Sequence, residues 1–320
     1  MEAVKWYKQA AEQGRADAQV RLGGYYATSS CGTLQNDVEA ARYFKKAADQ
    51  GDVGAQCLLG AMFDQGRGVV QSDEEAAKWY KKAADQGVAH AQCRPGSFYA
   101  TSRGVSQDYV EAAQWYKKAA DQGDLTAQYN MGILYTNGCG VERNDVEAVR
   151  WYEKAANKGD SRAQYSLGLA FAQGHGVVQN DALAAQWYKK AACQGNPQAQ
   201  CNLGLCYITG CGVAQDYVEA MQWYKKAADQ GNAPAHHNIG FMHKNGHGVA
   251  QSDVEAAKWF HLAAEQEDVT EQHGGQKLQE GIIQKLKTET GDSASHHSTS
   301  ASSVLLLALL ILSFFYFSFT

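Results

Sequence analysis

Residues 52–87 read DVGAQCLLGAMFDQGRGVVQSDEEAAKWYKKAADQG, and variants of this stretch fill most of the chain. Its Trp-Tyr pair at residue 79 returns at residues 115, 151, 187 and 223, and a Trp-Phe pair follows at residue 259. Each step is 36 residues, since 115 − 79 = 36. A period of this length is typical of a two-helix repeat, so the sequence predicts stacked pairs of a helix A and a helix B.

Helix B has a recognisable start and a recognisable end. Residue types that cap helix N-termini precede it at Asn36, Ser72, Asp108, Asn144, Asn180, Asp216 and Ser252. A glutamate stands three residues after every cap except at Leu183, which predicts capping boxes. After helix B the turn requires a left-handed residue, which glycine supplies. These glycines are Gly51, Gly87, Gly123, Gly159, Gly195 and Gly231.

Helix A carries recurring small residues, which predict a close approach between helices. One column is glycine: Gly23, Gly60, Gly96, Gly132, Gly168, Gly204 and Gly240. The Trp, Tyr and paired Ala residues of helix B supply the bulky side of the same packing. A two-helix unit cannot bury its apolar face alone, so we expect neighbouring units to share one core.

The recurring pattern resembles a known repeat family. Ala-x-x-x-Leu-Gly, then Gly-x-Gly-Val, then Glu-Ala-Ala-x-Trp-Tyr-Lys-Lys-Ala-Ala-x-x-Gly is similar to the Sel1-like repeat, a relative of the tetratricopeptide repeat, over about residues 2–266. The resemblance implies an all-α, right-handed α/α superhelical solenoid of about seven 36-residue helix pairs. It also implies a non-enzymatic adaptor for protein complexes, such as those of endoplasmic-reticulum quality control.

The sequence divides into five segments. Residues 1–14 match only a helix B, so we expect a partial leading repeat and a native chain that extends upstream. Seven repeats occupy residues 15–266. Residues 267–290 predict a capping region with a short amphipathic helix, and residues 291–303 predict a polar, disordered spacer. Residues 304–320 carry no charge and predict a membrane segment.

Two kinds of membrane attachment fit residues 304–320. One is a transmembrane anchor, and the other is a GPI-attachment signal, which the lack of following basic residues favours. Either places the chain at a membrane. The repeats then lie in the secretory pathway (endoplasmic reticulum or cell surface) or face the cytosol on a tail anchor.

Several kinds of chemistry are not expected. The formal net charge of −5 and the absence of a basic stripe argue against nucleic-acid binding. His175 and His247 share a repeat column with Cys139 and Cys211, but residues a whole repeat apart are too distant for one metal ion. No nucleophile–base pair or cofactor motif stands outside the repeat pattern, so we expect no enzyme and no cofactor. Some bacterial relatives are described as hydrolysing β-lactams, which makes that activity a remote alternative.

Cys193 and Cys201 flank one turn between helices. They are candidates for a disulfide, and unbridged thiols are the alternative. Pro95 stands where other repeats have Leu, Met or Ile in helix A. A decayed repeat is the preferred interpretation of Pro95, and a hinge is the alternative.

A partner site is predicted on helix A, which in such solenoids usually lines the concave surface. One of its columns changes chemistry while its neighbours stay fixed: Arg21, Leu58, Arg94, Asn130, Ser166, Asn202 and Asn238. An adjacent column contains Tyr129 and Tyr165. Amides in a row can hydrogen-bond an extended peptide, so Asn130, Asn202, Asn238, Tyr129 and Tyr165 are candidate partner-binding residues. Ordinary surface drift is the alternative.

Overall fold

The computed structural model describes residues 2–28 and 36–266, and these residues form helices joined by short turns, without strands. The helices are α1 Glu2–Glu12, α2 Ala16–Ala27, α3 Asp37–Asp49, α4 Val53–Gln65, α5 Asp73–Asp85, α6 Ala89–Thr101, α7 Tyr109–Asp121, α8 Leu125–Asn137, α9 Asp145–Asn157, α10 Ser161–Gln173, α11 Asp181–Cys193, α12 Pro197–Thr209, α13 Tyr217–Ala228, α14 Ala233–Asn245, and α15 over 253–266. The predicted all-α class is confirmed. Residues 267–290, 291–303 and 304–320, for which a cap, a spacer and a membrane segment are predicted, lie outside the described residues.

The chain divides into two compact units. The first contains α1 to α13 together with His247–Val249, and the second contains α14 and α15. In the first unit each helix packs mainly on the helices before and after it in the chain. Even-numbered helices are helix A and odd-numbered helices are helix B, so the first unit is a solenoid of A–B pairs. No helix among the described residues has the length and apolarity needed to cross a bilayer.

The predicted caps of helix B are confirmed, but the capping boxes are not closed as predicted. In α5, the Ser72 hydroxyl accepts a hydrogen bond from the Glu75 N–H at 3.2 Å. The Ser72 N–H donates to the Phe63 carbonyl at 3.0 Å, so it has no need of the Glu75 carboxylate. Glu75 instead pairs with Lys78 at 3.0 Å on the exposed face of the helix. The backbone N–H of the cap residue likewise donates to a helix A carbonyl, and not to a glutamate, at Asn36, Asp108, Asn144, Asn180 and Asp216.

The second glycine of each Gly-x-Gly turn contacts the preceding repeat through its backbone. Gly212 has φ +74°, and a Cβ added there would lie 2.0 Å from the Asp181 carbonyl oxygen, at the start of helix B one repeat earlier. At Gly140 the corresponding distance to the Tyr109 carbonyl oxygen is also 2.0 Å. Both the left-handed backbone and the missing side chain are therefore required at these positions.

In the first unit, the glycine column of helix A makes room for an aromatic ring of helix B. A Cβ added to Gly132 would lie 2.3 Å from the Tyr152 ring, and one added to Gly168 would lie 2.5 Å from the Tyr188 ring. The neighbouring tryptophans of helix B complete the core between repeats. Trp79 belongs to the same buried cluster as residues of α3 and α4, so it joins two consecutive repeats.

A row of buried glutamines links the C-terminal ends of consecutive helices B. Gln56 Nε2 donates to the Ala48 carbonyl at 3.2 Å, and Gln56 Oε1 accepts from Gln86 Nε2 at 2.9 Å. Gln86 also donates to the Gly51 carbonyl at 2.9 Å. The same glutamine pair recurs as Gln50 with Gln19, Gln122 with Gln92, Gln194 with Gln164, and Gln230 with Gln200. Each pair satisfies a buried amide that would otherwise cost free energy.

The row is interrupted at one repeat, where Lys158 replaces the donating glutamine. Lys158 Nζ still donates to the Gly123 carbonyl at 3.3 Å. Gln128 Nε2 donates to the Ala120 carbonyl at 3.0 Å, as in the other repeats. Gln128 Oε1, however, is buried and accepts no hydrogen bond from any described residue. This repeat therefore contains a buried acceptor without a partner.

Pro95 lies inside α6, which is helical on both sides of it. Its side chain is buried in the column that holds Leu59 and Met131 in the neighbouring repeats. Pro95 has no N–H, so the i to i−4 hydrogen bond is missing from this helix at that point. Ser102, at the end of the same helix, has φ +57° where most other repeats have glycine.

Replacing Lys158 with Gln is expected to stabilise the protein. The new amide would donate to Gln128 Oε1 and keep the bond to the Gly123 carbonyl, which should add about 1 kcal/mol to the free energy of unfolding. Calorimetry should show a Tm higher by roughly 2–4 °C. The reverse change in an intact repeat, Gln122→Lys, should lower Tm by a similar amount. An unchanged Tm in Lys158→Gln would contradict this account.

Gly212→Ala is expected to destabilise far more than Gly195→Ala, although both glycines are left-handed. Gly195 has φ +89° with nothing within 4 Å of an added Cβ, so its change should cost about 1 kcal/mol of backbone strain. Gly212→Ala adds a backbone clash and should cost about 2 kcal/mol more. Denaturant unfolding of the two variants measures the difference. Equal losses would show that the contact at Gly212 is unimportant.

Candidate protein-interaction groove

The variable column of helix A lies next to the tyrosine hydroxyls of helix B. Asn202 on α12 is half-buried, within hydrogen-bonding reach of both Tyr165 and Tyr188. Burial raises the pKa of Tyr188 above its usual range, and the nearby Asn202 amide partly offsets that rise. Asn202 of the variable column, Tyr165 of the adjacent column and Tyr188, the recurring tyrosine of helix B, therefore lie close together.

The arrangement is repeated at Asn130, with a different set of neighbours. Asn130 on α8 lies within hydrogen-bonding reach of Tyr116, whose pKa is also raised by burial. Tyr129 packs against Tyr152 with 5.9 Å between ring centroids, and the Arg162 guanidinium lies 4.6 Å from the Tyr129 centroid. Asn130 and Tyr129 are half-buried, whereas Tyr116 and Tyr152 are buried and Arg162 is exposed. Whether Asn130, Asn202, Tyr129 and Tyr165 bind a partner stays a prediction.

Asn238 lies on α14, in the second unit, where it is also half-buried. Its role as the third amide of the partner site stays a prediction.

Two cavities open between consecutive helices A, one repeat apart. The α8–α10 cavity has a volume of about 140 Å³, and Tyr152, Ser166 and Asp145 are among its lining residues. The α10–α12 cavity has a volume of about 340 Å³, and its equivalent lining residues are Tyr188, Asn202 and Asp181. We call the surface that contains both cavities the groove. Each cavity is lined by leucine, by one carboxylate and by a tyrosine. The tyrosine is accompanied by Ser166 in the first cavity and by Asn202 in the second.

The middle residue of Gly-x-Gly forms one edge of each cavity. His175 lines the α8–α10 cavity and Cys211 lines the α10–α12 cavity. In two earlier repeats the same position is arginine, and Arg67 donates to Asp37 at 2.8 Å, while Arg103 donates to Asp73 and Asp64. The cysteines and histidines of this column stand out in the sequence, but its contact with the first residue of helix B was not predicted. The pairing could have been found in the sequence, because the turn residue and the first residue of helix B are 30 positions apart in both repeats.

The described cysteines form no disulfide bond. All described cysteines are thiols, so the candidate pair Cys193 and Cys201 is not joined here. Cys193 is exposed at the end of α11, whereas Cys201 is buried within α12. Burial raises the pKa of Cys206 to about 11, which keeps it a thiol at neutral pH and a poor nucleophile. Among the described residues, no three side chains of His, Cys, Asp or Glu are placed to hold a metal ion.

The model of the Sel1 repeat family matches eight segments that together cover most of the chain. They are residues 1–14, 16–52, 53–88, 89–124, 125–160, 161–196, 197–232 and 233–268. This chain belongs to the Sel1 repeat family. The 36-residue period predicted from the Trp-Tyr pairs coincides with these Sel1 segments.

Two solved structures are similar to this Sel1 repeat protein over most of its length. A protective antigen of uropathogenic Escherichia coli strains, which displays the same repeat fold, is 38% identical with a TM-score of 0.77. The match covers 82% of this chain but only 56% of the antigen. A Sel1 repeat protein from Oxalobacter formigenes is 34% identical with a TM-score of 0.71, and the match covers 87% of this chain and 80% of that one. Comparison with curated proteins gave no match.

Proposed function

We propose that this Sel1 repeat protein is a non-enzymatic scaffold that binds an extended segment of a partner protein along the groove. Sel1 repeat proteins generally serve as protein-interaction scaffolds. The observation that carries the proposal is the recurrence of one cavity, with equivalent lining residues, between successive helices A. Cavities that repeat at regular intervals can bind side chains that are regularly spaced, and an extended peptide presents its side chains in this way.

The chemistry of the groove supports a peptide better than a small metabolite. Its walls are Leu169 and Leu205, and its polar groups are Asn202, Ser166 and tyrosine hydroxyls. Leucine surface stabilises apolar side chains, whereas amides and hydroxyls both donate to and accept from peptide groups. Neither cavity holds a pair of carboxylates or an activated nucleophile, which is what hydrolysis would require. Binding without chemistry is therefore the function proposed, in preference to β-lactam hydrolysis.

The membrane attachment is proposed from the sequence alone. Residues 304–320 are uncharged and rich in Leu and Phe, which favours insertion into a bilayer. A groove of this kind on a tether would hold its partner at the membrane surface. The similarity to a protective antigen of uropathogenic Escherichia coli gives some weight to the alternative, a solenoid anchored at the cell surface.

Replacing the three amides Asn130, Asn202 and Asn238 with Ser should weaken partner binding without lowering Tm. Ser166 already occupies this column, where it lies within hydrogen-bonding reach of Tyr152, so serine can replace the bond to the tyrosine and remove the amide from the groove. A photo-crosslinker at Leu205, which is 49% exposed, reports partner contact in cells. The same crosslinker at Lys189, exposed on α11, is the matched control.

The expected result is a crosslinked species from position 205 that is absent from position 189 and decreases several-fold in the triple Ser variant. Equal crosslinking from both positions would count against the groove. An undiminished product in the triple variant, with Tm unchanged, would remove the three amides from the site.

The tether makes a separate prediction. The full chain should sediment with membranes and resist carbonate extraction, whereas a chain ending at residue 290 should stay in the supernatant. Release of the full chain by a phosphatidylinositol-specific phospholipase would identify a GPI anchor, and resistance to it would identify a protein span. Extraction of the full chain by carbonate alone would refute the tether.

A further inference from the structure

We propose that the α10–α12 cavity binds an arginine side chain of the partner segment. This inference rests on the scaffold function proposed above and names the chemistry of one of its contacts. In two repeats the carboxylate at the start of helix B is paired with an arginine in the turn of the next repeat, and in a third repeat a cysteine stands at that turn position.

The paired repeats show how a guanidinium sits on this carboxylate. Arg67 Nη2 donates to Asp37 Oδ1 at 2.8 Å and Arg67 Nε donates to Asp37 Oδ2 at 3.3 Å, which is a two-point contact. Arg103 makes the same contact with Asp73 in the next repeat. Planar, paired donors match the two oxygens of a carboxylate, so arginine fits this position better than lysine does.

Asp181 is the equivalent carboxylate on α11, and the arginine position opposite it is Cys211. Asp181 is exposed and makes no ion pair or side-chain hydrogen bond with any described residue. Asp64, which gives Arg103 a second carboxylate, has Ala172 as its equivalent here. The space that an arginine fills in the earlier repeats therefore forms part of an open cavity, with its carboxylate still in place.

The two cavities differ in volume and in the middle residue of Gly-x-Gly. The volume is about 140 Å³ where that residue is His175 and about 340 Å³ where it is Cys211. The smaller cavity is also a weaker cation site, because Arg143 lies 3.3 Å from its carboxylate, Asp145. The α10–α12 cavity is consequently both the roomier of the two and the one with an uncompensated charge.

The rest of the lining suits an arginine stem. Leu169, Leu205 and Ala172 provide apolar surface for the methylene groups, which can pack there while the charged end reaches Asp181. Asn202 and Thr209 add side-chain oxygens near the cavity, and such oxygens accept the remaining guanidinium N–H groups. Because this inference rests on the scaffold function, the arginine is assigned to a segment of the partner protein.

The test uses two synthetic pentapeptides, acetyl-Ala-Ala-Arg-Ala-Ala-amide and the same sequence with citrulline, which has the shape of arginine without its charge. Binding to the full chain is followed by amide chemical shifts in NMR spectra. The arginine peptide should shift the signals of residues 172, 181, 205 and 209. The citrulline peptide should bind at least about tenfold more weakly, because its hydrogen bonds to Asp181 lack the charge.

Three variants complete the experiment. Asp181→Asn should weaken binding of the arginine peptide at least about tenfold while Tm is unchanged. Cys211→Arg should abolish binding by recreating the internal pair seen at Asp37. Cys139→Arg is the matched control, because Tyr109 stands where that repeat would need the carboxylate, and it should bind as the parent protein does.

Equal binding of the two peptides, or full binding in Asp181→Asn, would overturn the arginine site. Neither result would affect the scaffold function, which is measured separately by crosslinking from position 205. If the arginine peptide still bound but the crosslink from position 205 were absent, the arginine site would stand and the scaffold function would be refuted.

Discussion

The contact between the second glycine of each Gly-x-Gly turn and the backbone of the preceding repeat constrains the whole solenoid of the first unit. A carbonyl oxygen at 2.0 Å from the place of a Cβ leaves room for hydrogen only, so the loop of one repeat is seated on the first residue of helix B in the repeat before it. This contact brings the middle residue of the turn next to that same helix start. The ion pairs at Asp37 and Asp73 and the edges of both cavities follow from it.

The buried glutamines act at the opposite end of helix B. Each buried glutamine accepts a hydrogen bond from its own repeat and donates one to the preceding repeat. Its amide is therefore satisfied only when both of these repeats are folded. Hydrogen bonds of this kind couple adjacent repeats in a way that apolar packing does not, because a buried amide with one missing partner is penalised. At Gln128 one of the two bonds is absent, and coupling between repeats is expected to be weakest there.

The sequence predicted the period, the helix caps and the turns, because each depends on a residue type that acts locally. Ser72 caps its helix whatever surrounds it, and Gly195 adopts a left-handed backbone for the same local reason. The capping boxes were predicted wrongly because their second hydrogen bond competes with a carbonyl of helix A, a tertiary contact that the local pattern does not contain. The glutamine columns were visible in the sequence, but the hydrogen bonds between them depend on which helix ends are adjacent in the folded protein. Asn202 lines the groove, but the proximity of Asn130 to Tyr116 and of Asn202 to Tyr188 could be found only in the packed structure.

In the Gly-x-Gly turn the two glycines determine the backbone, and the residue between them is left to vary. Among the described repeats that residue is Arg, Cys or His, with no change in the conformation of the turn. The codons of these three amino acids are connected by single-base changes, from arginine to cysteine and from arginine to histidine. A point mutation at this position can therefore change the residue at the edge of a cavity in one step while the conformation of the turn is preserved. A gene built of such repeats can acquire a new binding preference in one copy while the other copies keep theirs.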